Sequence, residues 1–449
     1  MAVCPRTAYF LPKAHNVVFL PFCGMITLEV YFSAKTEMKP MTFEQMYKDL
    51  LRRTTNSEEV PEQLYDPYHL DCLLHPEKYA PVLRTEPCGD SCEFGRACQK
   101  SCMFDAISQN EDGSLTIDPE QCVGCGACID ACSLKKLQAS RDILPAMKAV
   151  RDTDGPAYAL VAPAFLGQFS EDVTPGKLRS AFKALGFDGM IEVALFADIL
   201  TLKEALEFDR NIIHQDDYQL TSCCCPIWIA MIRKVYHELM PHVPGAVSPM
   251  IACGRVIKKL HPDALTVFVG PCIAKKSEAR EPDIADAVDY VLTFQEIRDV
   301  FEAADIDLAA LPESERDHSS RAGRIYAYTG GVSEAVRRTV EQLSPDREIG
   351  VRTEQADGVP ACRKMIEKLK AGKTDANFFE GMGCVGGCVG GPRAIIDREE
   401  GQRHVAAYGD EAAYATPLEN PYVMELLHRL GFDTVSELLR YSDIFTRQF

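Results

Sequence analysis

One stretch of the chain reads Cys122-Val123-Gly124-Cys125-Gly126-Ala127-Cys128-Ile129-Asp130-Ala131-Cys132, which spaces four cysteines as C-x2-C-x2-C-x3-C. Three thiolates at this pitch can bind one iron–sulfur cubane, while the fourth reaches a neighbouring cluster. Gly124 and Gly126 let the backbone curl around the metal and direct its amides at sulfur. Structural zinc sites use paired C-x2-C knuckles instead of a continuous run. The stretch therefore indicates small helices and strands wrapped around an iron–sulfur cluster.

A looser group of cysteines precedes this run, with the spacing C-x3-C-x5-C-x3-C between residues 88 and 102. Together, the eight cysteines resemble a two-cluster bacterial ferredoxin domain. The resemblance implies that each [4Fe–4S] cluster takes three cysteines from one group and one from the other. One cluster would be bound by Cys88, Cys92, Cys98 and Cys132, and the second by Cys102, Cys122, Cys125 and Cys128. The proline that follows each fourth cysteine in that family is replaced here by Met103 and Ser133.

The bulk composition restricts the class of protein. A chain of 449 residues is too long for one core, so we expect two or three domains. The net charge of −18 argues against a nucleic-acid partner, because phosphate binding needs clustered Lys and Arg. We find no signal peptide and no apolar run that could span a membrane. Nineteen cysteines in a chain without an export signal indicate metal binding and a cytoplasmic location.

Beyond the cysteine-rich region, short apolar runs alternate with amphipathic stretches, which is typical of an α/β domain. We predict strands at Ala157–Val161, Leu265–Val269 and Ile325–Tyr328. The predicted fold is a two-lobed domain of mixed parallel sheets flanked by helices, preceded by a small α+β ferredoxin-like domain. The boundaries follow the change in pattern. We expect an N-terminal segment without an assigned role (1–80), the ferredoxin-like domain (81–145), the main domain (150–415) and a helical tail that packs on it (416–449).

Three further loops carry cysteines in unusual surroundings. The first reads Thr-Ser-Cys-Cys-Cys-Pro-Ile-Trp at 221–228, where a helix N-terminus would favour thiolate. The second, Gly-Pro-Cys-Ile-Ala-Lys-Lys-Ser-Glu at 270–278, follows a predicted strand. The third, at 380–391, surrounds Cys384 and Cys388 with glycines that allow close approach to a bulky group. A disulfide between these two cysteines is one alternative; a cubane held by four thiolates from the three loops is the other.

In this order, the three loops resemble the three signatures of [FeFe]-hydrogenases, and the resemblance covers about residues 85–425. It implies an active-site [4Fe–4S] cluster, the third in the chain, joined to a diiron subcluster with CO, cyanide and azadithiolate ligands. The cluster would be bound by Cys225, Cys272, Cys384 and Cys388, with Cys388 bridging to the subcluster. The resemblance also implies a lining for the diiron pocket. Its residues would be Pro163, Ala164 and Pro271.

The same resemblance gives roles to catalytic residues. Lys275 would donate a charged hydrogen bond to a cyanide, Met382 would pack beside the subcluster, and Cys224 would transfer protons. Glu204 and Glu207 share one face of a helix upstream, and in this family such a pair relays protons. A solvated helix face is the structural alternative for that pair.

The first loop leaves two alignments open, because it has three cysteines where better-known members have two. Alignment from Pro226 makes Cys225 the ligand and Cys224 the proton carrier, whereas alignment from Thr221 shifts both roles back by one residue. The serine expected in the proton path falls near Pro244, which cannot carry a proton. The chain thus resembles a subgroup with a Thr-Ser-Cys-Cys-Cys-Pro loop.

The function implied is reversible interconversion of H2 with protons and electrons. Electrons would pass through the two ferredoxin-type clusters to a ferredoxin or similar small redox protein. Maturation proteins would supply the diiron subcluster. Two alternatives remain: a hydrogen-sensing or regulatory member of the family, and a non-catalytic iron–sulfur assembly relative. The presence of Cys224, Lys275, Met382 and Cys388 argues against the assembly relative.

Overall fold

The computed structural model describes residues 41–448, except 57, 59, 61, 89–91, 93–95, 112–113, 222–223 and 315–317. Cys223, the alternative proton carrier, therefore lies outside the described residues. Within the described part, helices with the length and hydropathy needed to cross a membrane are absent.

The helices are α1 (Phe43–Thr55), α2 (Pro67–Leu74), α3 (Ala97–Lys100), α4 (Ala127–Ala131), α5 (Ile143–Asp152), α6 (Pro175–Ala184), α7 (Ala194–Asn211), α8 (Pro226–Val235), α9 (Pro249–Leu260), α10 (Ala274–Glu278), α11 (Phe294–Ala303), α12 (Arg321–Arg324), α13 (Gly331–Leu343), α14 (Val359–Lys370), α15 (Arg398–Asp410) and α16 (Pro421–Arg429). The strands are β1 (Val82–Arg84), β2 (Ile107–Gln109), β3 (Leu115–Ile117), β4 (Leu137–Ala139), β5 (Ala157–Val161), β6 (Gly189–Glu192), β7 (Gln219–Leu220), β8 (Leu265–Gly270), β9 (Tyr290–Thr293), β10 (Thr353–Asp357) and β11 (Phe378–Met382). Several helices begin with a capping side chain followed by proline, as at Thr174, Ser248 and Asn420.

Two separate parallel sheets form the main part of the molecule. One has the strand order β6-β5-β8-β9 and the other the order β10-β11-β7. The central strands β5 and β8 are almost wholly buried, which suits their continuous apolar sequences. Each sheet contributes to its own hydrophobic core. The predicted α/β class with mixed helices and parallel sheets is confirmed.

The cysteine-rich region before these sheets is small and antiparallel. β2 pairs with β3, so that Ile107 lies opposite Ile117, and β1 pairs with β4, so that Val82 lies opposite Ala139. The short helices α3 and α4 pack together, and the buried Cys98 belongs to the small core beside them.

The predicted strand Ile325–Tyr328 is wrong: α12 continues there as a 3-10 turn, Ile325–Ala327. Asp198 on α7 is buried and accepts hydrogen bonds from the backbone N–H groups of Ser320 (2.7 Å) and Gly323 (2.8 Å). A Cβ at Gly323 would lie 2.1 Å from the Ala194 carbonyl oxygen, so this turn packs directly on α7. A four-residue apolar run cannot distinguish a strand from such a buried turn.

In the described part of the N-terminal segment, helix α1 contacts two later parts of the chain. On α1, Tyr47 donates a hydrogen bond to Asp299 on α11 (3.0 Å). The guanidinium of Arg141, which follows β4, lies 4.1 Å from the Tyr47 ring centre and pairs with Glu44 at 2.8 Å. Residues from α1 therefore join the chain after the cysteine-rich region to the larger sheet's helices.

We expect Lys276→Ala to lower the free energy of unfolding by about 3–5 kcal/mol, because it leaves the buried Glu296 carboxylate without a cation and Asp142 with Arg280 alone. The Lys276 ammonium is fully buried and lies 2.9 Å from Asp142 Oδ1 and 3.2 Å from Glu296 Oε1. Denaturant unfolding of matched cluster-loaded samples measures the change. Lys368→Ala is the control, since its pair with Glu354 is largely exposed and contributes less than about 1 kcal/mol. Equal losses in both variants would contradict the prediction.

Candidate metal centre

The first loop presents Cys225 at the start of a helix. Cys225 is the N-cap of α8, and Pro226 occupies the first helical position. The backbone N–H of Gly383 donates to Cys225 Sγ at 3.2 Å, which ties this loop to the third one. The indole N–H of Trp228 donates to the Thr221 carbonyl (3.1 Å) and holds the loop against α8.

The other three cysteines follow strands of both sheets. Cys272 follows β8, whereas Cys384 and Cys388 follow β11, so the carboxyl ends of two different parallel strands supply them. Burial, and then the nearby Cys225, raises the pKa of Cys272 to about 11. Burial, followed by Cys225 and Cys272, raises the pKa of Cys388 to about 12. The pKa of Cys384 is also raised, by burial and then by Cys272, Cys225 and Cys388.

Cys225 is among the causes that raise the pKa of each of the other three cysteines, which places the four thiols together at the junction of the two sheets. Thiols whose pKa is raised by burial and by neighbouring sulfur atoms are poorly suited to stand as free thiolates, whereas a cationic iron–sulfur core would offset both effects. Cys384 and Cys388 are free thiols, so the disulfide alternative does not hold. The donor set fits a cubane bound by four thiolates.

Glycines bring the third loop into close contact with its neighbours. Gly387 has a φ of +84°, and a Cβ there would lie 2.8 Å from the Thr329 nitrogen. A Cβ at Gly383 would lie 2.5 Å from the Ile227 Cβ. The Asp357 carboxylate accepts hydrogen bonds from the Gly386 N–H (2.9 Å) and the Thr329 hydroxyl (3.1 Å). These contacts hold the third loop against the turn at Thr329 and against the start of α8.

An apolar cavity adjoins the four cysteines. Among its lining residues are six that the sequence singled out: Pro163, Cys224, Pro271, Cys272, Lys275 and Cys388. Two other predicted residues, Ala164 and Met382, are buried but are not part of this lining. Cys388 thus belongs both to the group of four thiols and to the wall of the cavity.

Lys275 remains charged in this dry cavity. Its ammonium lies 2.6 Å from Glu278 Oε2, and both side chains are buried. Burial acts to lower the pKa of Lys275, but Glu278 and the nearby Cys272 and Cys388 outweigh it, so that the pKa is raised. A buried ammonium with one carboxylate partner can donate further hydrogen bonds to an anionic ligand.

Glu204 and Glu207 lie inside the molecule, so the alternative of a solvated helix face does not hold for them. Both are on α7, which also carries Ala197 on the cavity wall. The Lys203 ammonium lies 2.6 Å from Glu207 Oε1 and donates to the Leu438 carbonyl in the C-terminal tail (3.3 Å). Burial raises the pKa of Glu207, and Lys203 opposes that shift.

The sequence reasoning missed three residues at this centre. Thr201 and Tyr326 form a buried hydroxyl pair (2.8 Å), with Tyr326 on the cavity wall. The Cys362 thiol donates to the carbonyl of Met382 (3.3 Å) beneath the third loop. Thr201 could have been noticed three residues before Glu204 on one helix face. Tyr326 was missed because it lies in the segment that was wrongly predicted as a strand. Cys362 was missed because it belongs to none of the cysteine motifs.

The eight ferredoxin-like cysteines also gather into two groups. Cys102, Cys122, Cys125 and Cys128 line one cavity. Burial raises the pKa of Cys122 to about 11, and Cys125 and Cys102 add to the rise. In the second group, burial raises the pKa of Cys98, and the nearby Cys132, Cys88 and Cys92 raise it further. These are the two sets that the ferredoxin resemblance implied.

Comparison with known families gives two matches. The sequence model described as "Iron only hydrogenase large subunit, C-terminal domain" matches residues 156–392, which is more than half of the chain. The model described as "4Fe-4S binding domain" matches residues 115–133.

Curated relatives include both hydrogenases and an assembly protein. The chain is 27% identical to the NADP-reducing hydrogenase subunit HndD of Solidesulfovibrio fructosivorans, over 73% of this chain and 66% of that protein, and so spans about two thirds of its length. It is 30% identical to the periplasmic [Fe] hydrogenase large subunit of Nitratidesulfovibrio vulgaris, over 56% of this chain and 71% of that one. It is also 26% identical to cytosolic iron-sulfur assembly component 3 of Pongo abelii, over 71% of this chain and 82% of that protein.

A solved structure has the same fold. It is a variant of [FeFe]-hydrogenase HydA1 from Chlamydomonas reinhardtii, with a TM-score of 0.59 and 23% identity. The alignment covers 69% of this chain and 98% of that one. At this identity, the likeness concerns the fold alone.

Proposed function

Because the chain belongs to the family of iron-only hydrogenase large subunits, we propose that it catalyses the reversible interconversion of H2 with protons and electrons. The observation that carries the proposal is the double position of Cys388, which joins the four-thiol group to a cavity that also contains Cys224 and Lys275. A non-catalytic iron–sulfur protein would need the four thiols, but it would not need an apolar cavity lined by a further thiol and a buried ammonium.

In this proposal, Cys225, Cys272, Cys384 and Cys388 would bind a [4Fe–4S] cluster, and Cys388 would also hold a diiron subcluster. When bound, that subcluster, with its CO, cyanide and azadithiolate ligands, supplies the chemistry of making and breaking the H–H bond. Lys275 holds an anionic ligand by a charge-assisted hydrogen bond. The apolar side chains of the cavity, Pro163 and Pro271 among them, exclude water, which strengthens that hydrogen bond.

Protons in this proposal enter and leave along α7. Cys224, on the cavity wall, exchanges a proton with the reacting site, and the buried carboxylates of Glu204 and Glu207 carry it onward. Lys203 opposes the rise in the pKa of Glu207, so that this carboxyl group can still ionise despite its burial. A raised pKa suits a carboxyl group that must both accept and release protons near neutral pH.

Electrons in this proposal pass through a ferredoxin-like domain at 81–145. One [4Fe–4S] cluster is bound by Cys102, Cys122, Cys125 and Cys128, and the other by Cys88, Cys92, Cys98 and Cys132. Gly124 supports a short route, since a Cβ there would lie 3.0 Å from the carbonyl oxygen of Ile273, the residue after Cys272. A ferredoxin or similar small redox protein is the proposed partner.

Infrared spectroscopy tests the proposal. After maturation with the diiron cofactor, we expect bands from bound CO and cyanide, together with hydrogen turnover in a dye assay. Bands without turnover would instead support a sensory or regulatory member of the family. The absence of bands in a sample with intact cubanes would overturn the proposal.

That last outcome would favour the assembly-type alternative. The similarity to cytosolic iron-sulfur assembly component 3 is the observation behind it. Under this alternative the cubanes remain, but Cys224 and Lys275 have no ligand to act on.

We expect Glu204→Gln to lower turnover by at least about a hundredfold, because a neutral amide cannot carry a proton through the interior. The infrared bands should remain those of the wild type, since Glu204 lies on α7 rather than among the cysteine-bearing loops. Glu367→Gln, an exposed change on α14, is the control. Unchanged turnover in the Glu204 variant would remove this residue from the proton path.

A further inference from the structure

Outside the cavity and the cysteine clusters, three side chains converge from two parts of the fold. Glu400 and His404 lie one turn apart on α15, and Glu171 follows the loop after β5. One ligand atom of each residue lies within 4.8 Å of the other two. The set combines one imidazole with two carboxylates, which are the nitrogen and oxygen ligands that Zn²⁺ takes in proteins.

The His404 ring is held in place by a glycine. Gly167 has a φ of +74°, and a Cβ there would lie 2.5 Å from the His404 Cδ2, so any larger residue would displace the ring. His404 Nε2 is buried and has no hydrogen-bond partner among the residues that the structure describes. Glu400 Oε1 lies 3.7 Å from this nitrogen, which is too long for a hydrogen bond. A buried nitrogen without a hydrogen-bond partner is destabilising unless something binds it.

We propose that Glu171, Glu400 and His404 form a binding site for a divalent transition-metal ion of the Zn²⁺ class. Metal–ligand distances near 2.0–2.2 Å in a tetrahedron require ligand atoms roughly 3.4 Å apart. The carboxylates are partly or fully exposed and can rotate to close that gap, while the packed imidazole stays fixed. The imidazole selects against Mg²⁺ and Ca²⁺, which prefer all-oxygen sites.

The metal would join two elements that border the centre. The loop from Pro163 to Glu171 begins on the cavity wall. Helix α15 packs on the third cysteine loop, where a Cβ at Gly401 would lie 3.3 Å from Val389, the neighbour of Cys388. The loop also contacts the segment that leads into α15, because the Gln168 side-chain oxygen accepts a hydrogen bond from the Ile395 N–H (2.7 Å). A metal bound by Glu171, Glu400 and His404 would add a further link between this loop and α15. The site does not depend on the proposed activity.

Isothermal titration of Zn²⁺ into cluster-loaded protein under anaerobic conditions tests the site, since the cluster cysteines are then occupied. We expect one site per chain whose affinity falls at least about tenfold in Glu171→Gln and in His404→Gln. Glu399→Gln, an exposed neighbour on the same helix, is the matched control and should bind as the wild type does. In zinc-soaked crystals, anomalous scattering at the zinc edge should place the ion between Glu171 and His404.

Glu171→Gln keeps the test decisive, because this exposed side chain can be changed without disturbing the fold. Hydrogen exchange adds a second readout: Zn²⁺ should slow exchange in residues 163–171 of the wild type but not of this variant. If Zn²⁺ binds equally well to both variants, or if His404 matters and Glu171 does not, the proposed link between loop and helix is wrong. Failure of the wild type to bind Zn²⁺ would also overturn it.

Discussion

Replacing Cys388 with alanine is expected to abolish hydrogen turnover. Because the cofactor performs the bond chemistry, losing its anchor should remove nearly the whole catalytic acceleration, which is at least about 10⁶-fold for typical enzymes. Cys388 belongs to both the four-thiol group and the cavity wall, a position that it shares with Cys272, and it is the residue predicted to bridge to the subcluster. A dye-coupled turnover assay measures the loss.

Spectroscopy separates this effect from general damage. In the Cys388 variant, the infrared bands of CO and cyanide should be absent, while the electron paramagnetic resonance signals of the ferredoxin-type clusters should remain. Cys72→Ala is the matched control, because Cys72 is also a buried free cysteine but lies on α2, outside the cysteine-bearing loops. It should keep both bands and turnover. Persistent diiron bands in the Cys388 variant would place the bridge elsewhere.

Cys224→Ala is expected to lower turnover by about 10²–10⁴-fold, the usual contribution of a positioned proton donor. Its thiol lines the cavity, whereas the adjacent Cys225 caps α8 and accepts the Gly383 N–H. The infrared bands should remain, because the four ligand thiols are intact. The expected signature is therefore a fully loaded cofactor that turns over slowly.

Cys223→Ala distinguishes the two alignments of the first loop. If Cys224 carries the proton, the Cys223 variant should keep turnover within a few fold of the wild type. If Cys223 carries it, the large loss should appear in that variant and loading should instead fail when Cys224 is replaced. A loaded but slow Cys223 variant, together with failed loading of the Cys224 variant, would thus shift both roles back by one residue.

The sequence was most informative where chemistry is local. Four cysteines within residues 122–132 identify a cluster-binding loop because their spacing alone sets how they wrap a metal. The alternation of apolar runs and amphipathic stretches predicted the α/β class for the same reason, since side-chain periodicity is a property of the nearest neighbours. The Ile325–Tyr328 error marks the limit of this reasoning: four apolar residues contain no period, and the hydrogen bonds that the Ser320 and Gly323 N–H groups donate to Asp198 stabilise the turn.

By itself, then, the amino-acid sequence determined the cysteine motifs, the fold class, the shared helical face of Glu204 and Glu207 and the resemblance to a family. Only the tertiary structure decided what those features surround. It brought Cys272 and Cys388 together from strands of different sheets, buried the two glutamates beside Lys203, and set His404 against Gly167 near Glu171. Contacts between residues far apart in the chain depend on how whole elements pack, and no local spacing encodes that packing.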